Sequence, residues 1–363
     1  MQATPLIEWP EPVFQLVDFI GLFLTAGAVG FRYSSLRGRI VHGVAGAIGV
    51  NRDSDSAAKP TRDATVYAIA AQRAATFGLA GAAIVLVRIF QNIPSMAQRA
   101  HTTASGLLAT DFSVQLLVGC AVLALAGFVL ASVRLPAGWP IAAIGLVVGT
   151  LRGALSGRWG QLVNPMHKLA AGLWIGTLFV IVIVGLALSL HGETPAERRG
   201  PIAATLINGF SPLALACGGL VVVFGVITAW KHLNPLSSLW TTPYGWALIL
   251  KLVVVAVVFA LGGWNWRRVR PTLGSETGAY AVRRSATGEL VAAGLVLLIT
   301  AILVSLPSPR RPGGPGGPAV AGGPLGANGR LHDGDLVMMT GSGAGLSMGT
   351  VALQWRPGAK ADR

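Results

Sequence analysis

The stretch LAAGLWIGTLFVIVIVGLALSL, from Leu169 to Leu190, decides the fold. It carries no charged side chain over a length that can cross a bilayer, which takes about 20 predominantly apolar residues. One residue before it, ahead of Lys168, stands Met166-His167, a soft thioether beside an imidazole at the point where the helix enters the membrane. On a helix His167, Ala171 and Trp174 share one face, with small residues clearing space beside the imidazole. That pair is a candidate landing site for a soft metal ion such as Cu(I).

Composition extends the reading to the whole chain. Of 363 residues, 53% are hydrophobic and 12% charged, and the mean hydropathy is +0.63. A soluble domain carries about 25% charged residues, so the expected class is an all-α polytopic bundle embedded in a lipid bilayer. The net charge of +14 does not indicate nucleic-acid binding, because the basic residues lie between apolar segments and act as topology signals. Cys120 and Cys217 sit in apolar runs with no CxxC spacing, so they report no redox compartment.

Eight segments qualify as spans: 13–34, 66–91, 108–131, 136–154, 166–190, 203–230, 243–264 and 286–307. The fourth is short and Gly-rich. The N-terminus lacks a basic n-region, and Glu8 and Glu11 precede the first span, so a cleaved signal peptide is not expected. Arg32, Arg37, Arg39, Arg52, Lys59 and Arg62 crowd the first loop; Arg198 and Arg199 lie in the fifth; Arg267, Arg268, Arg270, Arg283 and Arg284 fill the seventh. The intervening loops are poor in Lys and Arg. The odd loops are therefore expected in the cytoplasm and both termini outside.

Four regions follow: a four-helix half over 1–160, a second over 161–309, a Pro/Gly-rich linker over 310–329, and a short extracytoplasmic tail over 330–363. The tail contains two alternating stretches, Leu336-Val337-Met338-Met339 and Thr350-Val351-Ala352-Leu353, that could pair as a hairpin. Thr110-Asp111-Phe112-Ser113 and Thr242-Pro243-Tyr244-Gly245 open the third and seventh spans alike. Four spans separate them, which suggests a parallel 4+4 repeat.

The topology sorts the metal-capable side chains. Met96 and His101 fall in the second loop, Met166 and His167 at the end of the fourth, His232 in the sixth, and His332, Met338, Met339 and Met348 in the tail. All are on the side predicted to be extracytoplasmic, where thiols would be oxidised. His42 and His191 fall on the other side. Within the spans, Asp18, Asp111, Arg88 and Lys251 lie toward the outer face, with Lys251 about 12 Å into its helix at 1.5 Å per residue. A charge at that depth faces a polar interior or a partner. Lys251 either pairs with Asp18 or Asp111, or gates a cation path electrostatically. Glu289 and Arg73, nearer the cytoplasm, are candidates for an exit or an ion pair. Cys120 and Cys217, near the midplane, are chiefly packing residues or, alternatively, a Cu(I) relay.

From residue 164 to 309 the chain resembles the copper-resistance D (CopD) family of bacterial inner-membrane proteins. The resemblance rests on His167 with Trp174-Ile175-Gly176, Thr228-Ala229-Trp230, and Thr242-Pro243-Tyr244-Gly245 leading to Leu250-Lys251-Leu252. Asn265-Trp266-Arg267-Arg268, Pro271, Glu289, Thr300-Ala301 and Pro307-Ser308-Pro309 complete it. It implies transport of copper, or copper tolerance, at the cytoplasmic membrane, alongside a periplasmic CopC-type copper-binding protein. It also places His167 at the family's histidine position. The site expected from all these lines comprises His167, Met166, His101, Met96 and His232, with a path lined by Asp18, Trp174 and Lys251. No residue set points to covalent catalysis or ATP binding. Two other readings are an accessory or assembly subunit of a membrane copper enzyme, and a haem b redox protein. The second lacks paired histidines at mid-span depth.

Overall fold

A computed structural model describes residues 9–37, 62–155, 162–191, 194–232, 237–269, 272, 274–306, 336–342 and 348–354. The linker, His42, His332 and the basic residues from Arg39 to Lys59 lie outside the described residues. In chain order the helices are α1 (Glu11–Gly30, continued as a π-helical turn over Phe31–Ser35), α2 (Arg62–Arg99), α3 (Ala104–Thr110) and α4 (Phe112–Ser132). Then come α5 (Gly138–Leu155), α6 (Val163–Leu190), α7 (Ala196–His232), α8 (Ser238–Thr241), α9 (Pro243–Trp264, continued over Asn265–Val269) and α10 (Glu276–Ser305). Seven of them are long and apolar enough to cross a membrane; α5 is the shorter apolar helix expected of the fourth span. The chain is a multi-pass helix bundle. In the tail, Leu336–Ser342 (β1) pairs antiparallel with Met348–Gln354 (β2), with Leu336 opposite Gln354, giving the hairpin that the alternation suggested.

Helix packing here depends on missing side chains. Apolar helices gain nothing by exchanging lipid for one another, so close backbone approach through small residues must supply the attraction. At the centre α1 crosses α6 so tightly that a Cβ on Gly176 would lie 2.1 Å from the Phe23 carbonyl oxygen, and one on Gly27 2.4 Å from the Gly176 carbonyl. The same device joins α4 to α5. There Gly127, Gly138 and Gly145 each bring one backbone against the other, which is why the fourth span is rich in glycine. Helix α6 is the most buried, and Val180, Ile181, Leu186 and Thr177 on it are fully enclosed. α2, α4 and α5 pack to one side of the α1–α6 crossing, and α7, α9 and α10 to the other.

Two boundaries differ from expectation. α2 runs to Arg99 rather than ending near residue 91, through Pro94, because Ile93 and Ala97 pack with Leu107 of α3 and Val114 of α4 in a small cluster of their own. Met96 therefore lies on a helix and packs against that cluster, not in a loop. The two expected repeat openings are also offset by one residue. A short helix precedes each long one, α3 before α4 and α8 before α9. The capping residue is Asp111 in the first case and Thr242 in the second.

A Gly176→Ala substitution drives a methyl group into backbone that cannot yield, and overpacking of this kind costs about 1–3 kcal/mol. Thermal unfolding in detergent should show Gly176→Ala clearly destabilised and Gly219→Ala, where nothing lies within 4 Å of the added carbon, close to wild type.

Candidate functional site

The features singled out in the sequence separate into three groups once placed. The first group is structural. The Asp18 carboxylate accepts from Arg88 Nε at 2.7 Å and Nη2 at 3.3 Å, a forked pair tying α1 to α2. Arg88 is 8% exposed, donates also to Gln91, and lies 4.6 Å from the centroid of the Phe14 ring. Asp111 caps α4, accepting from the Ser113 and Val114 amides at 2.8 and 3.1 Å, a role worth about 1 kcal/mol. Neither carboxylate is bonded to Lys251. Cys120 packs at the glycine-lined α4–α5 interface, beside Gly149. Cys217 is likewise buried and free. His101 is exposed, with φ 51°, in the turn that ends α2. The His232 side chain lies outside the described residues.

The second group gathers around His167, about one turn into α6. Its ring lies against the Val221 backbone of α7 and close enough to Lys251 of α9 for that charge to act on it. Gly225 makes room for it: a Cβ there would stand 3.3 Å from His167 Cε1. His167 Nδ1 is buried and has no hydrogen-bond partner among the described residues. Two turns deeper on the same face, Trp174 meets Phe259 of α9, ring centroids 5.0 Å apart at 45°. Both rings lie over Gly218 of α7. Trp174 belongs to the π-helical stretch Gly172–Gly176, whose wider turn is a recurrent mark of functional positions in helices. Met166 is half-buried beside His167.

These contacts bridge a gap. α9 packs along α10 but makes almost no close backbone contact with α6 or α7 among the described residues. The Phe259 and Trp174 side chains, not interlocked backbones, close the space between α7 and α9. His167 and Lys251 line it from two sides. Lys251 is half-buried and has no hydrogen bond or ion pair among the described residues. Lys168 stacks over Phe19 at 5.5 Å and adds a second positive charge within reach. No group of three or more His, Cys, Asp or Glu able to hold a metal ion is found among the described residues.

A third group, nearer the other end of α9, pairs two helices. Glu289 on α10, 7% exposed, accepts a hydrogen bond from Asn265 Nδ2 in the π-helical turn that continues α9. Sequence reasoning singled out Glu289 but not Asn265 as its partner. It also missed Gly218, Gly225 and Phe259. The glycines stand seven residues apart, two helical turns along one face of α7, and Phe259 stands eight after Lys251; those spacings were the available signal.

Residues 204–303 match the family model described as CopD, copper resistance protein D. Over 153 residues the chain is 28% identical to the copper transport protein CutJ of Bacillus subtilis, a match covering 42% of this chain and 26% of that protein. The chain thus spans about a quarter of the length of that curated relative. No solved structure matches the chain. Helices α7 and α9, which flank the gap, lie largely within the matched residues, and His167 lies before them.

The Asp18–Arg88 pair should prove structural. Arg88→Leu alone leaves a half-buried carboxylate without its donor and should cost about 1–3 kcal/mol; adding Asp18→Leu should recover part of the loss. Strictly additive losses in thermal unfolding would show that the pair is uncoupled.

Proposed function

We propose that this chain, a CopD-family membrane protein by its C-terminal helices, moves copper across the bacterial cytoplasmic membrane and takes the ion first at His167. The observation that carries this reading is the buried, unpartnered Nδ1 of His167, held by α6 at the mouth of the gap between α7 and α9. A neutral imidazole nitrogen with no hydrogen bond is a free ligand, and imidazole beside a thioether suits copper. Met166 is the adjacent supporting ligand.

The proposed site is narrower than the five residues expected from topology. Met96 is committed to its own apolar cluster and His101 to a turn. Both would meet copper only in transit at the surface. The orientation that puts His167 on the extracytoplasmic side follows from the loop charges. Delivery by a periplasmic CopC-type protein fits an entry site one turn below the membrane surface.

In this reading Lys251 keeps binding weak. Its unneutralised charge beside the imidazole disfavours ordinary cations, and only an ion that forms directional bonds to nitrogen and sulfur lodges there. Weak binding is what permits release onward. Trp174 and Phe259 form the closure below the site, and passage requires the two rings to part. Asp18, expected along this path, is engaged in an ion pair, and Asp111, expected as a possible partner of Lys251, caps a helix.

Copper accumulation in cells tests the assignment. His167→Ala should lower accumulation several-fold at equal membrane expression, and Met166→Ala by less. Gly225→Leu, which fills the space the imidazole occupies without touching a ligand, should behave like His167→Ala. Accumulation equal to wild type in both His167→Ala and Gly225→Leu would sink the site.

A further inference from the structure

Glu289 is buried in a way that no ion pair accounts for. On its own helix Arg283 and Arg284 lie on preceding turns. On α9 Arg267 and Arg268 are exposed, and Arg268 stacks over Trp264 at 5.6 Å. On α1 the Arg32 guanidinium sits over the Tyr33 ring. Helix α6 presents no titratable side chain between Thr177 and Leu190. On α7, Arg199 binds Glu276 at 2.6 Å, with Arg198 beside it. No ion pair joins any of these groups to Glu289 among the described residues.

What Glu289 does have is an amide. Asn265 Nδ2 donates to Oε1, while Asn265 Oδ1 is itself buried and without a partner. A carboxylate can only accept, so an ionised Glu289 leaves Oδ1 orphaned and its own charge uncompensated in the membrane. A carboxylic acid carries one O–H donor. Acid and amide then satisfy each other with two hydrogen bonds, Nδ2–H to the acid carbonyl and the acid O–H to Oδ1. Gly262, on the turn before Asn265, lies beside Glu289 Oε2.

We propose that Glu289 is a proton-binding site, held as the neutral acid by Asn265, and that loading and release of its proton is coupled to copper movement. The coupling rests on the copper reading above; the proton site does not. Lys251 and Asn265 are fourteen residues apart on the same helix, about 21 Å at 1.5 Å per residue. α9 therefore carries Lys251, which lines the entry site, and, about two-thirds of a membrane span away, Asn265, which binds Glu289. The step balances simply: one proton is taken up by the carboxylate and one is released to water, with no electron transferred.

The test uses the full-length protein in two measurements. In infrared spectra of the purified protein at neutral pH, wild type should show a protonated-carboxyl carbonyl band that Glu289→Gln lacks. Gln keeps the volume and accepts the same Asn265 hydrogen bond but cannot carry the proton. In proteoliposomes, the rate of copper uptake should change several-fold when a pH gradient is imposed on wild type and should ignore it in Glu289→Gln. Identical infrared spectra would overturn the proton site. A band lost in the variant while its uptake still follows the gradient would overturn the coupling. Absence of copper flux in wild type would sink both the copper reading and the coupling, while the infrared band still decides the proton site.

Discussion

The contact between Gly27 and Gly176 is the constraint on which the other features depend. Two backbones meet there with no side chain between them. In lipid, with no hydrophobic drive between helices, such contact is what fixes one helix against another. It sets the rotation of α6, because only the glycine edge can face α1. His167 and Trp174 then project on other faces, toward α7 and α9. The π-helical turn at Gly172–Gly176 lies at the crossing itself. The glycine crossing and the aromatic closure of the gap thus share five residues of one continuous element.

The ionisable groups differ in how they are satisfied. In the first half Asp18 is met by Arg88 and Asp111 by the amides it caps, while Arg32 Nε is buried without a partner among the described residues; in the second half Arg199 pairs with Glu276. A buried, fully bonded pair adds specificity of packing more surely than net stability. In the second half Lys251 and Glu289 have no opposite charge among the described residues. Leaving such groups unpaired in a membrane is costly, and proteins retain them where something moves. The unpaired Lys251 and Glu289, the His167 imidazole with its unpartnered Nδ1 and the gap all fall on α6 to α10. The proposed copper path is placed in that half for this reason.

The bundle was legible because apolar length is a strong signal. The spans followed from counting, and even the weak fourth one is a helix whose glycines serve packing. The end of α2 was not legible, since Gln91, Asn92, Pro94 and Ser95 look like loop residues, and only contacts with Leu107 and Val114 hold them in a helix. Asp18 and Lys251 looked like partners because both are charged residues near one face. Depth along a helix does not tell which neighbour a side chain meets, and Arg88 was nearer. His167 could be picked out by residue type and position. Gly225 could not, because its importance is the absence of a side chain opposite a ring on another helix.

The parallel repeat expected from the sequence would sharpen why the gap matters. If the halves repeat in parallel, α2 and α4 correspond to α7 and α9. In the first half α2 packs firmly on α4, and Phe128 of α4 fills the hollow left by Gly78 of α2. In the second, the corresponding helices stand apart, and one aromatic pair spans the distance over Gly218. On that correspondence the α2–α4 contact is closed and the α7–α9 contact is not. A packed interface resists continuous deformation, whereas two rings over a glycine can separate by side-chain rotation alone. Opening the proposed path between α7 and α9 would therefore leave the α1–α6 crossing intact.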